Sequence, residues 1–209
     1  TGSFEEAEQR IDELMERGRT RIEEAAVVEL AVAFHMTRGR CARAVEIGLP
    51  FLRASGIDLP LHPGAAEIAR ETEGVWQALG DRAIEDLIHL PPMTHPEFKI
   101  AMSILKSVSV PAYFVGQNLH HLVLERMVTL SLRYGNAESS AHAYTAFARV
   151  LGPRFGRYKE AYLFGKLGYD LAERSDHLAT KPTVIFLFGQ LTVFWTRHFP
   201  IRGFASYTA

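Results

Sequence analysis

Gly156-Arg-Tyr-Lys-Glu-Ala161-Tyr-Leu-Phe-Gly165-Lys-Leu-Gly168-Tyr169 is the stretch whose reading decides the fold. Tyr158, Ala161, Tyr162, Gly165, Gly168, Tyr169 and Ala172 recur at steps of three and four, the period of one helix face. Gly156 supplies the turn before that helix. Ala161 is small enough for the helix to lie against its predecessor. Gly165 and Gly168 bare the same face, so another helix can approach closely. The form recurs at Gly39-Arg-Cys-Ala-Arg-Ala44-Val45, again a glycine followed five residues on by an alanine. This is the central piece of a tetratricopeptide-type helix–turn–helix.

Outward from these two turns the chain reads as helix throughout. Ser3-Phe-Glu-Glu6, Thr20-Arg-Ile-Glu23 and Thr94-His-Pro-Glu97 are capping boxes, in which hydroxyl and carboxylate satisfy first-turn amides reciprocally. Phe4, Ala7, Ile11, Leu14 and Met15 form the inward stripe of a first helix, ended by Gly18. Ile22, Ala26, Leu30, Ala33 and Phe34 form the expected stripe of a second. A third runs from about Arg40 to Ala54, with Pro50 expected to bend or shorten it. After a loop at 55–63, Ile68, Thr72, Val75, Trp76 and Leu79 make a fourth stripe. A short helix at 83–90 stops at Pro91-Pro92. A fifth meets Pro111, a sixth aligns Leu119, Leu122, Val123, Met127 and Leu130, and a seventh runs from about Ser140 to Gly152-Pro153. The eighth is the opening stretch, and a ninth runs from about His177 to Trp195. No segment alternates long enough to argue a strand.

The fold class expected is therefore all-α, with about nine helices. Antiparallel hairpins would stack as a right-handed, tetratricopeptide-like solenoid. Gly39, Gly80, Gly116 and Gly156 are spaced by 41, 36 and 40 residues and set a hairpin frame. On it residues 1–209 are a single helical-repeat segment. An orphan helix at 4–17 precedes hairpins at about 20–55, 64–90, 95–134 and 138–174, and an orphan helix at 177–195 follows. Such a segment reads as a slice of a longer multidomain protein. The competing arrangement is an irregular single helical domain.

Composition narrows the functional classes. The 209 residues are 47% hydrophobic and 22% charged, which excludes disorder for most of the chain. Lys plus Arg number 23 against 24 Asp plus Glu, so no basic excess points to nucleic acid. One cysteine builds neither an internal disulfide nor a cysteine-based zinc site. The chain opens at Thr1 with no secretory pattern, and a cytoplasmic location is expected. Residues 107–124 are too polar and broken for a membrane span. The run PTVIFLFGQLTVFWT at 182–196 falls short of the roughly 20 residues a span needs, and reads as a buried helix.

Candidate chemistry is sparse. His121 and Glu125, four apart, share a helix face, while the adjacent His120 points elsewhere. Two ligands do not make the HExxH pattern, and structural histidines are expected. Cys41 lies near Arg38, Arg40 and Arg43, whose charges would activate a thiolate or hold a phosphate; a packing cysteine on a solvated face is the plainer reading. Glu5, Glu6, Glu8, Asp12, Glu13 and Glu16 read as the wet side of an amphipathic helix. Asp170 and Glu173 belong to a charged stripe. Gly165-Lys166 lacks the rest of a phosphate loop, and no dinucleotide, hydrolase or kinase motif appears. No catalytic, cofactor-binding or metal-binding residue is assigned, and no cofactor is expected.

Several segments resemble one region of large bacterial-type signalling proteins: Gly56-Ile-Asp-Leu-Pro60 with His62-Pro63, Ile84-Glu-Asp-Leu87 with Leu90-Pro-Pro-Met93, and Arg126-Met-Val-Thr-Leu-Ser-Leu-Arg-Tyr-Gly-Asn136. Phe155-Gly-Arg-Tyr-Lys-Glu-Ala161 through Ala172-Glu-Arg174 continues the likeness, which spans roughly residues 20–195. Those proteins join a Ser/Thr-kinase-like domain, an AAA-type (STAND) ATPase, a helical-repeat region, a GAF sensor and a histidine kinase. This chain is similar to part of the repeat region after the ATPase. The family's catalytic motifs lie in other domains, so the resemblance carries no catalytic residue here. It implies a scaffold or sensor arm coupling ATPase to kinase output.

Three functions compete. One is a non-catalytic interaction module of a signal-transduction kinase/ATPase, binding a protein partner or neighbouring domains of its own chain. The second is a sensor that holds a small-molecule inducer among Tyr113, Phe114, Tyr144, Phe147, Phe155, Tyr158 and Tyr162. The third, a metal-dependent hydrolase, lacks ligand spacing. A cut array would expose apolar surface, so the C-terminal helix, with Phe186, Phe188, Phe194 and Trp195, is also expected to pair with a second copy or to pack back on the chain.

Overall fold

The computed structural model describes residues 4–17, 20–175 and 180–191. The expected cap at Ser3, the stop at Gly18, and Phe194 and Trp195 lie outside the described residues. Those described form nine α-helices and no strand. They are α1 (Phe4–Glu16), α2 (Arg21–Thr37), α3 (Cys41–Ala54), α4 (Ala65–Leu79), α5 (Pro96–Val115), α6 (Gln117–Tyr134), α7 (Ser140–Phe155), α8 (Tyr158–Arg174) and α9 (Lys181–Leu191).

Local chemistry explains most of the ends. Thr20 and Glu23 complete their capping box: the Glu23 amide donates to the Thr20 hydroxyl at 3.4 Å, and the Thr20 amide donates to the Glu23 carboxylate at 2.9 Å. The Gly64 amide donates to the Glu67 carboxylate at 2.9 Å, half of a box before α4 that the sequence reading omits. α5 begins at Pro96, where a first-turn amide has no acceptor to lose. Neither Pro50 nor Pro111 ends its helix, since α3 runs on to Ala54 and α5 to Val115. The expected helix at 83–90 is a 3-10 turn, Glu85–His89. Pro91 disfavours helical backbone at Leu90, and Pro92 pairs instead with Asn136 in an isolated parallel bridge.

The two turns that decide the fold share one geometry. Gly39 and Gly156 both stand at φ 70°, in the left-handed region that glycine tolerates. The next residues match: Arg40 at φ −87°, ψ 57° and Arg157 at φ −90°, ψ 59°. Each accepts the first amide of its helix, from Ala44 at 3.1 Å and from Ala161 at 2.9 Å. Both alanines are wholly buried. Of the other two glycines in that series, Gly80 has a positive φ of 59° and Gly116 does not.

The chain divides into two compact units. The first comprises Thr1–Ile68 and Pro96–Val123; the second comprises Ala69–His95 and Leu124–Ala209. In the first, α2, α3 and α5 pack on one another around Ala31, Val32, Leu52, Leu105 and Val108, all buried. Arg21 pins the far end of α3: its guanidinium lies 3.6 Å above the Phe51 ring and donates to the Phe51 carbonyl at 2.9 Å.

In the second unit α7 is buried on nearly every side, Ser140, His142 and Thr145 included. Tyr144 stacks on Phe164 of α8 at 5.9 Å, and Phe147 meets the same ring edge-on at 5.3 Å. α9 packs on α7 and α8, with Phe188 buried against Tyr162 and Tyr169. Phe186 of α9 is exposed.

Candidate functional site

α2 corrects the sequence reading. The stripe expected to face inward, Ile22, Ala26, Leu30 and Ala33, faces solvent; Ile22 is 67% exposed and Leu30 50%. The buried side is Ala25, Val27, Val28, Ala31, Val32 and His35. The sequence RIEEAAVVELAVAFHMT is apolar at helical period on two sides. With α3 and α5 both pressing on α2, close packing favours the side with the smaller residues.

α5 runs beside α2 in the same direction. Arg21 lines one hollow with Glu97 and Ile100, Ser103 donates its hydroxyl to Glu29, and Val32 and Val108 both reach Gly48 of α3. Three successive levels thus match in order along both helices. On α5 the wet side carries Lys99 and Val110, then Tyr113 and Phe114, the last 64% exposed. Tyr113 meets Phe114 edge-on at 5.5 Å and His120 at 5.4 Å. His120 is itself buried, its Nδ1 2.8 Å from the Ser109 carbonyl. The first unit thus presents an aliphatic strip on α2 and an aromatic corner on α5. A hollow of about 220 Å³ lies elsewhere in this unit, lined by Leu14, Met15, Glu24, Val28, Ile47 and Phe51.

α5 is also the one helix among the described residues long and apolar enough to cross a membrane by length and composition. Its buried residues, Ala101, Met102, Ile104, Leu105, Val108 and Ala112, face the core of the first unit. Of its most apolar stretch 44% is buried.

The second unit holds two strongly perturbed ionisable groups, Glu125 and Tyr144. Glu125 is 0% exposed. Its Oε1 accepts the Thr72 hydroxyl at 2.5 Å, while Oε2 is buried without a partner among the described residues. Burial raises its pKa to about 7, against the Thr72 hydrogen bond; Glu71 raises it further and Arg154 lowers it. Next to it Arg126 pairs with Glu71 at 2.8 Å. Burial likewise raises the Tyr144 hydroxyl, which donates to Asn136 at 3.0 Å. In the first unit, burial lowers His35 below the usual histidine value.

The remaining candidates fall as follows. His121 is buried one turn before Glu125 on α6, but the Glu125 carboxyl is held by Thr72 of α4. Among the described residues no three His, Cys, Asp or Glu side chains are placed to share a metal ion. Cys41 is half-buried, its Sγ 3.9 Å from the Met36 sulfur. The arginines near it are engaged. Arg40 pairs with Glu8 at 2.7 Å, Arg43 with Glu46 at 3.6 Å, and Arg38 lies over Phe4 at 4.3 Å. Within the acidic run of α1, Glu6 pairs with Arg10 at 2.5 Å and the others are exposed or half-buried. Asp170 pairs with Lys166 at 2.6 Å and Glu173 with Lys181 at 3.1 Å.

The seven aromatics do not gather. Tyr113 and Phe114 are exposed in the first unit. Tyr144 and Phe147 are buried in the core of the second, where Tyr158 is exposed and Phe155 and Tyr162 are half-buried. No protein family, curated protein or solved structure matches this chain.

Proposed function

We propose that this chain is a non-catalytic helical-repeat interaction module that holds a protein segment, or neighbouring domains of its own parent chain, along α2 and α5. The observation that carries the reading is the exposed strip Ile22, Ala26, Leu30 and Ala33, continued in kind by Val110, Tyr113 and Phe114. Large apolar side chains set in order on adjacent helices are what an amphipathic partner buries. Aromatics flanked by polar groups are the residues that anchor such contacts.

The shared backbone of the Gly39 and Gly156 turns supports stacked hairpins in a tetratricopeptide-like solenoid. The sequence resemblance to the repeat region after a STAND ATPase supports a cytoplasmic signal-transduction parent with kinase output. The partner is a protein rather than nucleic acid or lipid. Pairing of two copies through the C-terminal helix is a further part of this proposal, with Phe186 the exposed aromatic there.

The alternative is a sensor holding a small-molecule inducer. The hollow of about 220 Å³ beside Met15 and Phe51 is the observation that favours it. Native mass spectrometry of the purified chain separates the two. A bare chain, or chain plus protein, agrees with the interaction module. A retained small molecule of defined mass contradicts it in favour of the sensor.

A further inference from the structure

Glu125 is the buried polar tie between α4 and α6 within the second unit. Thr72 of α4 donates to its Oε1 at 2.5 Å. Its Oε2 lacks a partner among the described residues, and so does the buried Thr129 hydroxyl one turn further along α6. A carboxylate in such a place leaves a full charge half-solvated by a single hydroxyl, whereas a neutral carboxyl leaves only one weak polar deficit. The charged groups around it do not rescue the ion. Glu71, on α4 beside Thr72, is of like sign and is itself taken by Arg126 at 2.8 Å. Arg154 of α7 favours the ion, but less than burial opposes it. Arg126 and His121 are the other charged or titratable groups nearest to it on its own helix.

α4 has further ties in this unit, the Glu71–Arg126 pair to α6 at 2.8 Å among them. The Trp76 ring sits 6.3 Å from Phe164 and under the Arg157 guanidinium at 3.8 Å. That contact has no proton to lose near neutral pH.

We propose that Glu125 is a pH-responsive latch for α4: as a neutral carboxyl it holds residues 69–79 against α6 through Thr72, and on giving its proton to solvent it releases them. The ionised group gains water only if α4 moves away, so ionisation and opening are linked. This is a local opening, distinct from unfolding of the whole unit.

Hydrogen–deuterium exchange of α4 from pH 6 to pH 8.5, corrected for intrinsic exchange, tests it. In the wild-type chain, protection of α4 amides falls about tenfold across this range, most of it near and below pH 7, and levels off above, where the closed form is ionised as well. In Glu125→Gln, an uncharged isostere, α4 protection stays flat, and in both proteins α7 and α8 remain more protected than α4 at every pH. Parallel profiles for wild type and Glu125→Gln overturn the latch. So does a wild-type α4 whose protection equals that of α7 and α8 at every pH, which would make Glu125 a determinant of global stability only. Thr72→Val keeps the test decisive where the glutamine variant does not fold. It removes the bond through which the latch acts, so α4 loses protection already at pH 6, and α4 protection equal to that of the wild type there overturns the proposal.

Discussion

Gly168 of α8 lies so close to Thr145 of α7 that a Cβ on the glycine would overlap the threonine hydroxyl and stand 2.5 Å from the Ala141 carbonyl. The bare face read from the spacing of Gly165 and Gly168 is thus a real line of approach, and α7 occupies it. Gly168→Ala should force the two helices apart and cost about 3 kcal/mol. Thr145→Ala should recover part of that loss in the double variant, because it removes the hydroxyl but leaves the Ala141 carbonyl in the way. Urea unfolding of the four proteins in a cycle measures both effects.

The turn at Gly156 makes a different demand. Nothing lies within 4 Å of a Cβ there, so only its φ of 70° resists a side chain. Gly156→Ala should cost about 1 kcal/mol. Gly116→Ala, with open space and no positive φ, should fall within about 0.5 kcal/mol of the parent. Thermal unfolding of both variants ranks them, and equal costs would contradict the distinction between the two turns.

Stability should fall as pH rises through the window set by Glu125. Its carboxyl titrates at about 7 when folded, against a reference of 4.5. The unfolded chain therefore loses this proton first, and the folded state is penalised progressively between these values and evenly above them. The full difference corresponds to about 3 kcal/mol. Glu125→Gln should remove that slope. His35, lowered by burial, works in the opposite direction, since the unfolded chain takes up its proton more readily as pH falls. It is common to both proteins and cancels in their comparison. Urea midpoints from pH 4.5 to pH 8 give the two curves.

On α2 the order of side-chain size should be inverted in its effect on stability. Leu30→Ala removes the larger side chain from a wet position and should change stability by about 0.5 kcal/mol or less. Val32→Ala removes less from a position that is 2% exposed and should cost about 2 kcal/mol. Chemical denaturation of the pair checks the assignment of faces, and a costly Leu30→Ala would restore the face expected from sequence.

Helix positions were legible because their signals are local. Thr20 and Glu23 cap, and Gly39 and Gly156 turn, through contacts within a few residues. Facing was legible where a helix has one apolar side, as on α4, where Ile68, Val75 and Leu79 are buried. It was not legible on α2, whose two apolar sides differ only in the bulk that neighbouring helices admit. Pro50 and Pro111 both lie inside helices that continue past them, α3 to Ala54 as expected and α5 to Val115. The sequence pairs Glu125 with His121 by spacing alone, which says nothing of its burial. Its setting in the run Leu122-Val-Leu-Glu125-Arg-Met-Val-Thr129-Leu marked a carboxyl among apolar neighbours. Its partner Thr72, 53 residues away, is visible only once α4 is in place.

The central claim is that α2 and α5 form a protein-binding face, and site-specific photo-crosslinking in the producing cells tests it most directly. A photoreactive residue placed at Leu30 or at Phe114 should yield discrete protein adducts, or mapped links to another domain of the parent chain. The same residue at Lys159, exposed on α8, should yield almost none. Equal yields at the three positions, or none at Leu30 and Phe114, would contradict the account.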